Sequence, residues 1–131
     1  MKQMFIVGLG GFIGSIGRYK LGGLVLHHSA DWRFPLSTFV VNIVGCLVIG
    51  LLSGLAEKHD LFSADARLLL FPGILGGFTT FSAFSLETLH LLRDGRGLAA
   101  GANVALSVVL CLLFVGVGYA LAARATPRTR G

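Results

Sequence analysis

From Leu68 to Leu86 the chain carries no charge, and inside that run stands Gly76-Gly77-Phe78-Thr79-Thr80-Phe81-Ser82-Ala83-Phe84-Ser85, with two adjacent glycines and four hydroxyls. The run is nearly long enough for a helix to cross the hydrocarbon core of a bilayer. Adjacent glycines weaken a helix, yet lipid offers no partner to a freed N–H or C=O. A break at that depth survives only where protein or a wet cavity satisfies the backbone. The segment therefore points to a membrane bundle in which one span consists of two half-helices. The break, expected near Gly76 and Gly77, marks an ion or substrate site.

The remainder of the chain fits that restriction. Of 131 residues, 54% are hydrophobic and 13% charged, and mean hydropathy is +0.81, a balance that soluble domains do not need. The length admits about four spans of roughly 20 residues. The expected fold is all-α, one four-helix transmembrane domain over residues 1–131. Its helices are placed at about 4–26, 34–56, 66–92 (broken near 76–80) and 97–123, between short charged connections. Pro35 suits a helix start, and Ser63-Ala64-Asp65 suits a cap. The apolar run from Met4 lacks an A-x-A-like cleavage site and is expected to be retained as helix 1.

A net charge of +5 raises nucleic acid as a partner, but the basic residues punctuate apolar runs without interleaved aromatics, so no nucleic-acid partner is expected. Arg124, Arg128 and Arg130 instead suit an anchor at the lipid interface. Cys46 and Cys111 lie deep in apolar runs without metal-ligand spacing and read as small core residues. His27, His28, His59 and His90 form no ligand pattern either.

Four spans place Lys2, Lys58, Arg67, Arg124, Arg128 and Arg130 on one side, and Arg18, Lys20, Arg33, Arg93 and Arg96 on the other. Six against five barely selects an orientation. The balance permits both insertions, and hence an antiparallel pair of copies, as readily as one orientation set by context.

Gly10, Gly14 and Arg18 recur at i, i+4 and i+8, giving helix 1 a smooth face that ends in a cation, and Gly50 with Gly54 forms a second small-residue pair. Close helix packing is the plainest use of both. Arg18 either snorkels to an interface or draws an anion into a vestibule. Asn42, the lone amide of helix 2, either bonds to a neighbouring helix or donates to a passing anion. Asn103, Ser107 and Cys111 form a mildly polar stripe that can line a narrow path or bond back to its own helix. Phe81 and Phe84 share roughly one face, as do Ser82 and Ser85. Rings so placed pack, or they turn positive edges beside hydroxyl donors toward an anion. Carbonyls freed between Gly76 and Thr80 are ligands for a hard cation. Glu87 sits toward the end of the span, as a mouth or interface acid or as a proton-coupling carboxylate.

At these residues the sequence resembles the Fluc (CrcB) family of small fluoride channels. The resemblance rests on Gly76 to Ser85 with Glu87 beyond, on Gly14-Ser15-Ile16-Gly17-Arg18, and on Asn42-Ile43-Val44-Gly45, within the same four-helix layout. It implies a dual-topology homodimer in the inner membrane, with two antiparallel passive fluoride pores that relieve fluoride toxicity. It assigns Phe81 and Phe84 as ring edges along the fluoride path, with Asn42, Ser107, Thr80 and Ser82 as polar partners. It also implies a structural sodium ion between the copies, bound by the backbone carbonyls of Gly76 and Thr79, and puts Arg18 and Glu87 at the vestibule or interface. Ala83 and Cys111 depart from the hydroxyls such a pattern would favour.

Two other classes compete. A proton-coupled small exporter of similar size needs a carboxylate in the middle of helix 1, and helix 1 has none. A non-transporting assembly protein would use the polar residues only to join helices. An enzyme is not expected, because no nucleophile with its base, metal cluster or phosphate loop is present in the sequence.

Overall fold

The computed structural model describes residues 1–125, apart from the side chains of Lys58 and His59. Arg128 and Arg130, expected at the lipid interface, lie outside the described residues. The described residues are helical almost throughout, without strands. Helix α1 spans Lys2–His28, α2 Leu36–His59, α3 Ala64–Leu68, α4 Gly76–Phe78, α5 Phe81–Arg93 and α6 Gly97–Arg124, with a π-helical segment, Leu69–Leu75, joining α3 to α4.

Among the described residues, three stretches are long and apolar enough to cross a membrane: Leu36–Glu57, Ala64–Arg93 and Gly97–Arg124. The fourth expected span, within α1, is absent from that set. At 27 residues α1 is long enough, about 40 Å, but Arg18, Lys20 and its many glycines dilute its apolar character.

Local chemistry sets the helix ends. Ser63 Oγ accepts from the Ala66 N–H at 3.2 Å and caps α3. Gly95 takes φ +72 in the turn between α5 and α6, a left-handed conformation that side chains resist. Lys2 pairs with Asp65 at 2.5 Å, so the start of α1 meets the start of α3 at one end of the bundle. At the other end Arg96 donates to the Arg33 carbonyl and joins the α1–α2 and α5–α6 connections.

Two packing seams hold the bundle. α2 and α6 form the most extensive one, and α1 lies along the π-helical segment and α4. Small residues make both possible. A Cβ on Gly10 would fall 2.7 Å from the Gly73 Cα, and one on Gly14 would fall 2.0 Å from the Ile74 carbonyl oxygen. On the other seam, a Cβ on Gly50 would lie 2.2 Å from the Val115 carbonyl oxygen. Backbones that approach this closely maximise dispersion contact, which matters where no hydrophobic drive separates helix from lipid. Pro72 lies inside the π-helical segment, where its missing N–H and ring bulk disfavour the regular α-helical ladder.

Candidate functional site

The break in the third span falls two residues beyond the glycines. Gly76 keeps α-helical dihedrals (φ −62, ψ −36) and Gly77 belongs to α4, whereas Thr79 (φ −82, ψ 156) and Thr80 (φ −148, ψ 120) are extended. This corrects the expected place of the break within residues 76–80. Gly77 serves packing: its added Cβ would lie 2.5 Å from the Gly11 carbonyl oxygen.

Each end of the break is finished by a threonine. The Thr79 N–H and its hydroxyl both donate to the Leu75 carbonyl at 3.0 Å, ending the first half-helix. Thr80 Oγ1 accepts from the Ala83 N–H at 3.2 Å and caps α5. The exposed peptide groups between them are met by Asn42. Its Nδ2 donates to the Thr80 carbonyl at 2.9 Å, and its Oδ1 accepts from the Thr80 N–H at 2.8 Å. One side-chain amide thus replaces the partners that a continuous helix would have supplied. Gly45, one turn along α2, makes the approach possible, since a Cβ there would sit 2.2 Å from the Thr79 methyl.

Beside the break lies a cavity of about 510 Å³. It brings together Asn42, Gly76, Thr79, Thr80, Phe81, Phe84 and Ser107, with Phe71, Leu75, Cys46 and Cys111 among the rest of its wall. Among the described residues, no charged side chain lines it. The rings of Phe81 and Phe84 stand 5.4 Å apart at 40°, and Phe81 is 78% exposed. The two cysteines, expected as core residues, are half-buried in this wall.

Three expected site residues lie outside the cavity lining. Ser82 is exposed, with its Oγ 3.3 Å from Thr80 Oγ1. Arg18 is half-exposed on α1. Glu87 is half-buried between α5 and α2, where Oε1 accepts from the Thr38 hydroxyl at 2.6 Å. Its Oε2 is shielded without a hydrogen-bond partner among the described residues.

A polar ladder joins α5 to α6. Asn103, 1% exposed, donates from Nδ2 to Thr88 Oγ1 at 2.9 Å, and Thr88 donates to the Phe84 carbonyl at 2.8 Å. Ser107 Oγ lies 3.5 Å from Asn103 Oδ1 and so ties the cavity wall to this ladder. Thr38 and Thr88 were not singled out in the sequence. Thr38 had a signal, because Thr38, Asn42 and Cys46 repeat at i, i+4 and i+8 as Asn103, Ser107 and Cys111 do. Thr88 had none, since its partner lies on another helix.

The match to known proteins covers this whole arrangement. The family model for CrcB-like protein, Camphor Resistance (CrcB), matches residues 5–119. A protein of Methylobacillus flagellatus named fluoride-specific ion channel FluC is 57% identical over 121 residues, covering 92% of this chain and 94% of that protein. Proteins with the same name from Opitutus terrae and Elusimicrobium minutum are 48% and 45% identical over 121 residues, each covering 91% of this chain and 91% and 92% of their own lengths. With the family model spanning the break, its amide clamp and the polar ladder, this chain belongs to the CrcB family.

Proposed function

We propose that this chain is a fluoride-selective, passive ion channel of the inner membrane, working as an antiparallel homodimer with two pores and a structural sodium ion at its centre. The observation that carries the reading is the uncharged cavity at the break, where Phe81, Phe84, Thr80, Asn42 and Ser107 converge, in a chain whose relatives are named fluoride-specific ion channels. Fluoride is small and tightly hydrated, so a path must replace part of its water shell. A buried Arg or Lys would do so but would hold the ion. Ring edges, hydroxyls and the remaining N–H of an amide offer several weaker contacts, which let an anion enter and leave. Such a pore lets the membrane potential expel fluoride that has entered as HF, with no reaction to catalyse.

The dimer is supported by what one chain leaves open. Phe81 is 78% exposed although it borders the cavity, and a second copy would complete that wall. Near-equal basic charge at the two ends of the bundle suits insertion in both directions, with α1 as the fourth span. The sodium assignment fits the residues at the break. Gly76 is exposed, and an added Cβ there would meet only the Phe71 carbonyl oxygen, at 3.7 Å. Thr79 is extended, so its carbonyl leaves the helical ladder. Carbonyls of both residues, from both copies, would hold the ion, which supplies fixed positive charge between the copies. Ser82 would meet fluoride nearer a mouth, and Arg18 and Glu87 would act at the vestibule or interface.

Efflux from liposomes containing the purified protein tests the reading. Fluoride should leave while chloride stays trapped, without an imposed proton gradient. Equal leakage of the two anions, or a strict need for a proton gradient, would defeat it. Unchanged fluoride flux in Asn42 and Phe81 variants with altered assembly would instead favour a non-transporting assembly protein.

A further inference from the structure

Two thiols that the fluoride path does not require meet in the cavity wall. Cys46 of α2 and Cys111 of α6 both line it, each half-buried. The backbone explains the meeting. Gly50 packs on Val115 and Gly54 on Tyr119 and Ala122, so α2 and α6 run in the same direction in a fixed register. Cys46 and Cys111 each lie four residues, about one turn, before Gly50 and Val115 and fall on the facing sides.

A pair of sulfur donors selects soft metal ions. Zinc calls for four ligands, and among the described residues no group of three or more His, Cys, Asp or Glu side chains could hold a metal. An ion content with two ligands is therefore required. The surrounding wall is largely apolar, with Ile49, Leu75 and Leu112, and penalises a net charge. A monovalent ion on two thiolates would leave a negative complex, while a divalent ion leaves a neutral one.

We propose that Cys46 and Cys111 form a two-coordinate site for a soft divalent metal ion of the mercuric kind, bridging α2 and α6 across the cavity wall. Neutral mercuric chloride can reach such a site through lipid. Two S–H and two Hg–Cl bonds break, two Hg–S bonds form, and two protons leave with two chlorides; no electrons change hands.

Counting thiols in the purified full-length protein tests the site without reference to ion flux. These are the chain's two cysteines, so one equivalent of mercuric chloride per chain should remove both thiols, and the intact mass should show one mercury on one chain. Cys46→Ser and Cys111→Ser should each weaken mercury binding at least tenfold in competition with dithiothreitol. A requirement for two equivalents, mercury joining two chains, or a single variant that binds as tightly as the unaltered protein would overturn the proposal.

Discussion

The two halves of the broken span are held by different physics. The first, α3 through α4, rests on α1 with backbone against backbone, through Gly10 and Gly14 on one side and Gly73 and Gly77 on the other. The second, α5, is tethered by side-chain hydrogen bonds: Asn42 at Thr80, Thr38 at Glu87 and Asn103 at Thr88. It also exposes Phe81, Leu86, Leu89 and Leu92. The first half is fixed by shape where it meets α1, with no spare volume along that seam. The second is fixed by a few directional bonds, and the cavity lies where the two halves meet, walled by Phe71, Leu75 and Gly76 of the first and Phe81 and Phe84 of the second.

Adding one carbon to the first seam should have the largest effect. In Gly14→Ala the new Cβ would lie 2.0 Å from the Ile74 carbonyl oxygen and 2.9 Å from the Phe78 nitrogen, both backbone atoms that no rotamer change relieves. The helices must separate, at a cost of about 3 kcal/mol. Thermal unfolding in detergent should show a clearly lowered midpoint or loss of the folded protein. A midpoint unchanged from the parent would mean that the seam is not set by shape.

Asn42→Ala should come next. It removes both bonds to Thr80 and leaves an N–H and a C=O without a partner beside a largely apolar cavity, at a cost of about 2 kcal/mol. Hydrogen exchange at the Thr80 amide should rise, and fluoride efflux should fall. Protection that persists at Thr80 would show that the break does not depend on the amide.

The same pair of seams explains what the sequence made legible. Long uncharged runs and charged connections imply an all-helical membrane chain, because those features are local. The neighbouring glycines drew the break to Gly76 and Gly77, but in a membrane bundle glycine also serves close packing, and the helix opens at Thr79 and Thr80 instead. What Asn42 does there was not legible, since its partner lies 38 residues away. The repeat of Thr38, Asn42 and Cys46 was legible, and it parallels Asn103, Ser107 and Cys111. The two stripes give α2 and α6 matching polar faces, with Asn42, Cys46, Ser107 and Cys111 in the cavity wall. The wide turn around Pro72 had a signal in the proline, though not in its form.

A smaller effect is expected within the polar ladder. Thr88→Val keeps the shape and removes the hydroxyl that accepts from Asn103 and donates to the Phe84 carbonyl. Bonds between membrane helices average about 0.6 kcal/mol, so the unfolding midpoint should shift only slightly. Ser107 would then be tied to an Asn103 that has lost its link to α5. Fluoride efflux should therefore respond more than stability does. A large loss of stability with normal efflux would assign the ladder to the fold alone.

Gly76→Ala should disturb the single chain least, and its contrast with Gly77→Ala is the sharpest probe of the break. The two glycines are adjacent and both helical, yet a Cβ on Gly77 would press to 2.5 Å on the Gly11 carbonyl oxygen, whereas one on Gly76 would make only an ordinary contact at 3.7 Å. Packing within one chain therefore requires glycine at 77 and leaves 76 free. Alanine at 76 should change the stability of an isolated copy by no more than about 0.5 kcal/mol, helped by its better helix propensity. If a second copy and a cation come close to this exposed backbone, the same methyl should weaken dimerisation, measured by dilution in lipid, and abolish the dependence of dimer stability on sodium. Dimers of Gly76→Ala as tight and as sodium-dependent as those of the parent would remove Gly76 from the interface and leave its glycine without a structural account.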